Sequence, residues 1–444
     1  MNASVSSRHQ ACSTPAINRW SIVVFLIGAA NPFTVSVVGK VPVSELIISV
    51  VLLWLSLLVA TNHRVSGSLF RLNLFWVLAG AQLLSLSGYI VSDLIRESEL
   101  HDALRGWARC AFLLGDTVAM VYLIERSIWF LPSYLLGCAV GQSAFTLLIG
   151  PLANDYWKFG FGMPLTLIAL LAASCFGLWP SVITAMTMAF VHLSLDFRSM
   201  SALCVIVGAA LTVGVIPQRL RALFLSVGGV ALLVLIGVMV LHSGETSTRA
   251  QRSNIIRQAM MQAAGEAFLK SPWIGQGSWF SKSDVVSNFE AIRWDMSHRL
   301  GGGHGFAREG DEDVAVHSEI LASLAEGGIL GGGFFVLYLA YIIWALIITS
   351  LRMRWNASKP ATLFILLGAL CGVLFNPYSG SERVGISLTV ALILLLRSDF
   401  VSVRSVANTS SIDISSRCLR NSLMSRNGEG LRDQRQMSSS RLSI

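Results

Sequence analysis

The chain has 444 residues, of which 54% are hydrophobic and only 13% charged, with a mean hydropathy of +0.64 and a formal net charge of +8. Soluble domains carry roughly 25% charged residues, so this composition excludes a water-soluble fold. The basic residues do not gather into one patch interleaved with aromatics, and many sit in short connections between apolar blocks, which points to topology rather than nucleic acid as their role.

Apolar blocks of about twenty residues recur along the chain, the length that crosses a hydrocarbon core roughly 30 Å thick. Residues 1–19 carry Arg8 and Arg19 but no small-residue cleavage site, so Trp20 opens a retained first span. Spans are predicted over 20–38, 43–61, 72–92, 108–124, 128–150, 164–179, 180–195, 200–217, 222–242, 327–350, 360–375 and 385–397. The sixth and seventh are separated only by Leu178 to Ser181, with Trp179 and Pro180 between them, and one long kinked or re-entrant element is the alternative. Arg64, Arg71, Arg126, Arg219, Arg221, Arg352, Arg354, Lys359 and a basic tail from Arg397 then fall on one side, as the positive-inside rule requires of an inside N-terminus.

The expected fold class is therefore an all-α polytopic membrane protein of about 12 transmembrane helices, with one large outer loop between helices 9 and 10. Its divisions are an N-terminal tail over 1–19, helices 1–9 within 20–242, the loop over 243–326, helices 10–12 within 327–397, and a basic, disordered tail over 398–444. Of the seven cysteines, Cys110, Cys138, Cys175, Cys204 and Cys371 fall in or beside spans, Cys12 and Cys418 fall in the tails, and no CxxC occurs. Neither a disulfide framework nor a zinc site is expected.

The loop holds eight Lys or Arg and eleven Asp or Glu, together with Trp273, Trp279 and Trp294. Within it Ile256, Met260, Ala263 and Ala267 recur at helical spacing, which predicts an amphipathic helix with its apolar side on the membrane face. SPWIGQGS, from Ser271 to Ser278, reads as a turn, and 299–310 is rich in glycine. The run Glu309, Asp311, Glu312, Asp313 lacks the EF-hand spacing and reads as a solvated acidic stretch rather than a metal site.

HSEILASLAEGG, beginning at His317, carries the most specific pattern. His317, Ser318, Leu321, Glu326 and Gly328 stand in the register that marks the O-antigen ligase and Wzy-type polymerase superfamily, which this chain resembles. Pro272, Gly275 and Gly277 resemble that family's Pro-x-x-Gly-x-Gly turn, and Arg257, or alternatively Arg252, falls where the family places an arginine on a loop helix. Arg198 resembles the arginine of its Ser-Arg turn, although Asp196 and Phe197 stand where a small or hydroxyl residue is usual.

The resemblance implies a GT-C-like bundle in a bacterial inner membrane, with both termini cytoplasmic and the large loop periplasmic. It implies a glycosyltransferase acting on a polyprenyl-pyrophosphate-linked oligosaccharide, without cofactor or metal. The acceptor is another lipid-linked repeat for a polymerase, which works beside a chain-length regulator protein, or lipid A core for a ligase. Transfer to a protein side chain belongs to the same superfamily.

The chemistry such a site needs is independent of the resemblance. A departing pyrophosphate gathers negative charge that guanidinium groups stabilise at fixed geometry, a role open to Arg198 with Arg257 or Arg252. Arginines at this depth also simply snorkel to headgroups. A neutral imidazole at His317 can take the proton of an attacking hydroxyl or orient it. If 317–328 is one helix, His317 shares a face with Leu321, Leu324 and Gly328, while Glu319 and Glu326 lie opposite. Glu326 is then expected to cap, to pair with an arginine or to line another wall. Tyr378, Glu382 and Arg383 in the next outer turn are candidates for the acceptor route or an interfacial anchor. A lipid-linked sugar flippase is the alternative of another class, and it calls for charges inside several spans and symmetric halves.

Overall fold

The computed structural model describes residues 18–36, 40–61, 67–127, 129–150, 156–213, 216–217, 220, 248–280, 291–292, 316–351, 357–376 and 382–398. The expected ninth span over 222–242, the glycine-rich stretch and acidic run within 299–313, and the tail beyond 398 lie outside them. Among the described residues the helices are α1 (Arg19–Ala30), α2 (Val43–Ala60), α3 (Asn73–Arg96), α4 (Leu100–Arg126), α5 (Phe130–Leu148) and α6 (Gly162–Ser174). They continue with α7 (Leu178–Ser194), α8 (Arg198–Val213), α9 (Thr248–Lys270), α10 (Glu319–Leu351), α11 (Lys359–Phe375) and α12 (382–398). Five of them, α2, α3, α4, α5 and α10, are long and apolar enough to cross a membrane, and α1, α6, α7, α8 and α11 are shorter apolar helices.

The described residues of 18–394 form one compact unit. In the second unit, residues 395–398 are the last turn of α12, where Ser398 Oγ donates to the Leu395 carbonyl at 2.8 Å.

Several boundaries differ from expectation for identifiable reasons. α1 stops at Ala30 because Pro32 cannot continue the helical ladder, and β1 (Thr34–Ser36) then pairs antiparallel with β2 (Lys40–Pro42). The sixth and seventh elements are separate helices, but the break lies at 175–177 rather than at 178–181. Gly177 turns the chain there at φ 112, a conformation that costs glycine little, while Pro180 sits in the first turn of α7, where its missing N–H leaves no bond unmade. Proline here begins a helix instead of ending one. α4 starts at Leu100, two turns ahead of the expected 108, and carries Asp102 and Arg105 on its extra length.

Small residues let the helices approach closely. A Cβ on Gly137 or Gly141 would stand 2.1 Å from the carbonyl oxygens of Phe25 and Ala29, so α1 and α5 touch backbone to backbone. Gly88 of α3 meets Gly331 of α10 in the same way, at 2.7 Å. One face of α3 is a buried polar stripe of Gln82, Ser85, Tyr89 and Ser92. Gln82 donates to Thr117 at 2.9 Å, Ser85 to the Gly331 carbonyl and Ser92 to the Glu326 carbonyl at 2.7 Å, so α3 is stitched to α4 and α10 by bonds that need no water.

Contacts between chain ends divide the bundle into two ends. Asn18 bonds the Arg126 carbonyl, Ser21 bonds Ser127, Ser68 bonds Glu125 and Ser174 bonds the Ala357 carbonyl at one end. The described loop residues gather at the other. Exposed Trp76, Trp129 and Trp179 ring the first end, and exposed Tyr156 and Trp273 stand at the loop end, the placement of aromatics at the two edges of an apolar slab.

Candidate functional site

The loop residues nearest α10 make a small core of their own. Ala259, Ala263, Ala264 and Ala267 of α9 pack with Phe280, Val316, Ala322 and Ala325, flanked by Ile256, Met260, Phe268 and Leu321. The apolar stripe of α9 is the one expected from its spacing, but protein covers it rather than a membrane surface.

The turn Ser271–Gly277 closes against α10 and α3. Gly275 and Gly277 take φ +83 and +85, and a Cβ on Gly275 would lie 2.2 Å from the Glu326 carbonyl oxygen, so only glycine fits. The Gln276 N–H donates to the Ala325 carbonyl at 2.9 Å and the Gly277 N–H to the Glu326 carbonyl at 3.0 Å. Pro272 accepts from the Ile329 N–H at 2.8 Å, just past Gly328, where α10 breaks at φ 64 and ψ −160. The three glycine positions and Pro272 thus belong to one bracket that ends the loop and starts the apolar stretch of α10.

Beneath the bracket lies a buried charge network. Arg109 of α4 forms an ion pair with Glu326, Tyr89 donates to Glu326 Oε2 at 2.8 Å, and the Trp279 N–H reaches Glu326 Oε1 at 3.2 Å. Asp93 accepts from the Ser278 N–H at 2.6 Å, the Ser278 hydroxyl at 2.8 Å and the Trp107 indole at 2.8 Å. Arg96 donates to the Gly275 carbonyl at 2.9 Å and to Ser271 Oγ at 2.7 Å. Arg105 stacks on the Trp279 ring at 4.2 Å. Trp279 and Phe280 both hold positive φ, at 60° and 56°, a strained pair fixed by the Glu326 bond on one side and the buried Phe280 ring on the other.

His317 stands at the far end of this loop core and is half-buried. It precedes α10 rather than belonging to it. Ser318 caps that helix, accepting from the Leu321 N–H at 3.3 Å and donating to the Val373 carbonyl at 3.4 Å, and the helix runs only from Glu319 to the break at Gly328. The shared helical face expected for His317 and Gly328 therefore does not form. Burial and the nearby charge of Arg257 hold the His317 imidazole below its ordinary pKa of 6.5, so it is neutral at pH 7. Removing that positive charge makes protonation easier. In an NMR titration of labelled histidine, assigned by the signal lost in His317→Ala, the His317 midpoint lies below 6.5 and Arg257→Gln raises it; an unchanged midpoint refutes the electrostatic pairing.

The other candidates fall in different places. Glu326 is the partner of a buried arginine, as one of its expected roles had it, but that arginine is Arg109. Arg257 is exposed on α9, and the side chain of Arg252 lies outside the described residues. Arg198 is half-exposed and bonds Asp196 Oδ1 at 2.9 Å, two residues back; among the described residues nothing joins it to His317. Arg383, a candidate for the acceptor route or an interfacial anchor, lies in the first turn of α12. It is buried and grips both carboxylate oxygens of Glu45, at 2.6 and 2.8 Å, because two desolvated charges need each other. Glu319 is buried at the start of α10, and one of its carboxylate oxygens has no hydrogen-bond partner among the described residues. His192, the buried histidine among the described residues, is fully engaged, its Nδ1 accepting from Trp157 at 2.9 Å and its Nε2 bonded to Thr166 at 2.7 Å.

Sequence reasoning missed Arg109, Arg96, Asp93 and Tyr89. The signal was present: Arg109 falls inside an expected span, where an unpaired charge is costly, and Arg105 and Arg109 share a helix face four residues apart. Among the described residues the fold and this site define a mostly helical protein with five helices long and apolar enough to cross a membrane. Comparison with family models finds no match, and comparison with curated proteins finds none either.

Proposed function

We propose that the chain is a membrane glycosyltransferase of the O-antigen ligase and Wzy-type polymerase kind, polymerising surface polysaccharide from polyprenyl-pyrophosphate-linked repeat units at the outer face of a bacterial inner membrane. The observation that carries this reading is a half-buried His317, kept neutral by burial and by the nearby charge of an exposed Arg257, at the end of the bundle where the loop is anchored. A base and a guanidinium are what attack on an anomeric carbon with a diphosphate leaving group requires.

His317 takes or orients the proton of the acceptor hydroxyl, the hydroxyl oxygen bonds the anomeric carbon, and the carbon–oxygen bond to the pyrophosphate breaks. Arg257, with Arg252 or Arg198, holds the charge that develops on the departing oxygen. Arg96, Arg109 and Arg383 are committed to protein partners and belong to the scaffold.

The purified protein, supplied with a polyprenyl-pyrophosphate oligosaccharide, lengthens the glycan on lipid carrier. Transfer only to lipid A core makes it a ligase. Absence of transfer to either, with movement of the glycolipid across a proteoliposome bilayer, establishes the flippase. One observation favours that last reading: Glu45, Asp116, Arg109 and Arg383 are buried on α2, α4 and α12. Polar chemistry is therefore not confined to the loop.

A further inference from the structure

At the end of the bundle opposite the loop, three helices share one aromatic corner. Trp20 of α1, Trp54 of α2 and Tyr122 of α4 meet there with ring centroids 5.1, 5.4 and 5.8 Å apart. Two guanidinium groups rest on the corner. Arg19 lies 5.3 Å from the Trp20 ring and Arg126 lies 5.0 Å from that of Tyr122, distances at which a cation is drawn to an aromatic face. The backbones that carry them are fastened together, since the carboxamide of Asn18, next to Arg19, donates to the Arg126 carbonyl at 2.9 Å, and Ser21 bonds Ser127 at 2.8 Å.

Both arginines are exposed, and among the described residues neither has a carboxylate partner. Glu125, next to Arg126 in sequence, accepts instead from Ser68 Oγ at 2.8 Å and from the Leu69 N–H. Tyr122 is only 3% exposed, its hydroxyl makes no hydrogen bond among the described residues, and the charges of Arg126 and Arg19 both act on it. Apolar side chains continue outward from the corner. Arg19 shares a face of α1 with the exposed Ile22 and Leu26, and Trp54 stands beside the exposed Leu53 and Leu57 on α2. A lone arginine at such a depth snorkels to any passing head group. Two guanidiniums seated on packed rings above an outward apolar wall offer phosphate oxygens a fixed pair of donors, with room for acyl chains alongside.

We propose that Arg19 and Arg126, with the Tyr122 hydroxyl, bind the head-group phosphate of one anionic phospholipid whose acyl chains lie along the outward faces of α1 and α2. Guanidinium groups match phosphate oxygens in geometry and charge, and the indoles of Trp20 and Trp54 suit the depth at which head groups meet chains. A zwitterionic lipid brings the same chains but a cation that competes with the arginines. Free phosphate brings the charge without the chains. The site stands whether or not the protein transfers glycans.

The test is the melting temperature of the purified full chain in nonionic detergent, titrated separately with phosphatidylglycerol, with phosphatidylcholine of the same chains and with inorganic phosphate. A ligand that binds only the folded state raises the melting temperature saturably, and phosphatidylglycerol gives that rise at lower concentration than phosphatidylcholine. Arg19→Gln and Arg126→Gln each weaken the phosphatidylglycerol response about fivefold, the effect of one basic side chain beside an anionic membrane surface. The double variant loses the preference for the anionic lipid. Both side chains are exposed and form no ion pair or hydrogen bond among the described residues, so the variants fold. Native mass spectrometry of retained phosphatidylglycerol gives a second reading that does not depend on melting. The proposal is overturned if phosphatidylcholine acts at the same concentration, if inorganic phosphate alone gives the same rise, or if the double variant keeps the preference.

Discussion

Replacing His317 with alanine lowers glycan transfer by about 100-fold or more, the usual contribution of a positioned acid–base group, and leaves the amount of folded protein in the membrane unchanged. The second half of that expectation follows from where the residue stands. His317 is half-buried and lies ahead of α10, the cap of that helix is provided by Ser318, and the apolar core of the loop is made by Val316, Phe280 and the alanines of α9. Nothing in the bracket or in the charge network under it depends on the imidazole. A cell lacking the native protein and producing His317→Ala therefore accumulates the lipid-linked substrate without polymer, and quantitative blotting finds the variant at native level. Polymer of normal length and yield removes His317 from the mechanism. If loss of polymer is accompanied by loss of the protein, the residue is structural and the proposed chemistry fails with it.

The helical framework was legible because its cause is one-dimensional. Apolar blocks of spanning length and the positions of Arg126 and Lys359 are written locally, and described helices follow expected spans closely at α2, α3, α5, α8 and α11. What could not be read was pairing across the chain. Glu326 advertised a partner without naming it, since Arg109 lies 217 residues away and is brought in by α3 and α4. Arg383 looked like an interfacial residue because its neighbours in sequence are polar, whereas its ligand, Glu45, is 338 residues distant. Gly328 was ambiguous in the same way. A glycine run inside an apolar helix reads as close packing, which is true of Gly331 against Gly88, but at Gly328 it is the positive φ that matters, and only the approach of the Trp273 carbonyl to within 2.4 Å of a Cβ there reveals it.

The largest effect on stability is expected at the Arg109–Glu326 pair. Both side chains are nearly inaccessible, 5% and 4% exposed. Arg109→Leu strands a desolvated carboxylate that still accepts from Tyr89 and the Trp279 N–H, and breaking a buried pair from one side costs about 3–5 kcal/mol. Glu326→Leu strands the guanidinium and takes away the acceptor that holds Trp279 in its strained conformation. Each single variant therefore melts well below the native protein or fails to accumulate. The double variant Arg109→Leu with Glu326→Leu leaves neither charge uncompensated, so it recovers a substantial part of the loss, because two apolar side chains replace a pair that itself cost desolvation. Equal melting temperatures for the single variants and the native protein would mean that the network does not bear on the fold. The double variant also separates structure from chemistry. The backbone bonds of the bracket, from Gln276 to Ala325 and from Gly277 to the Glu326 carbonyl, do not involve the carboxylate. If transfer activity returns with stability, Glu326 acts through the fold; if stability returns and activity does not, its carboxylate is part of the reaction and the division between scaffold and site must be redrawn around it.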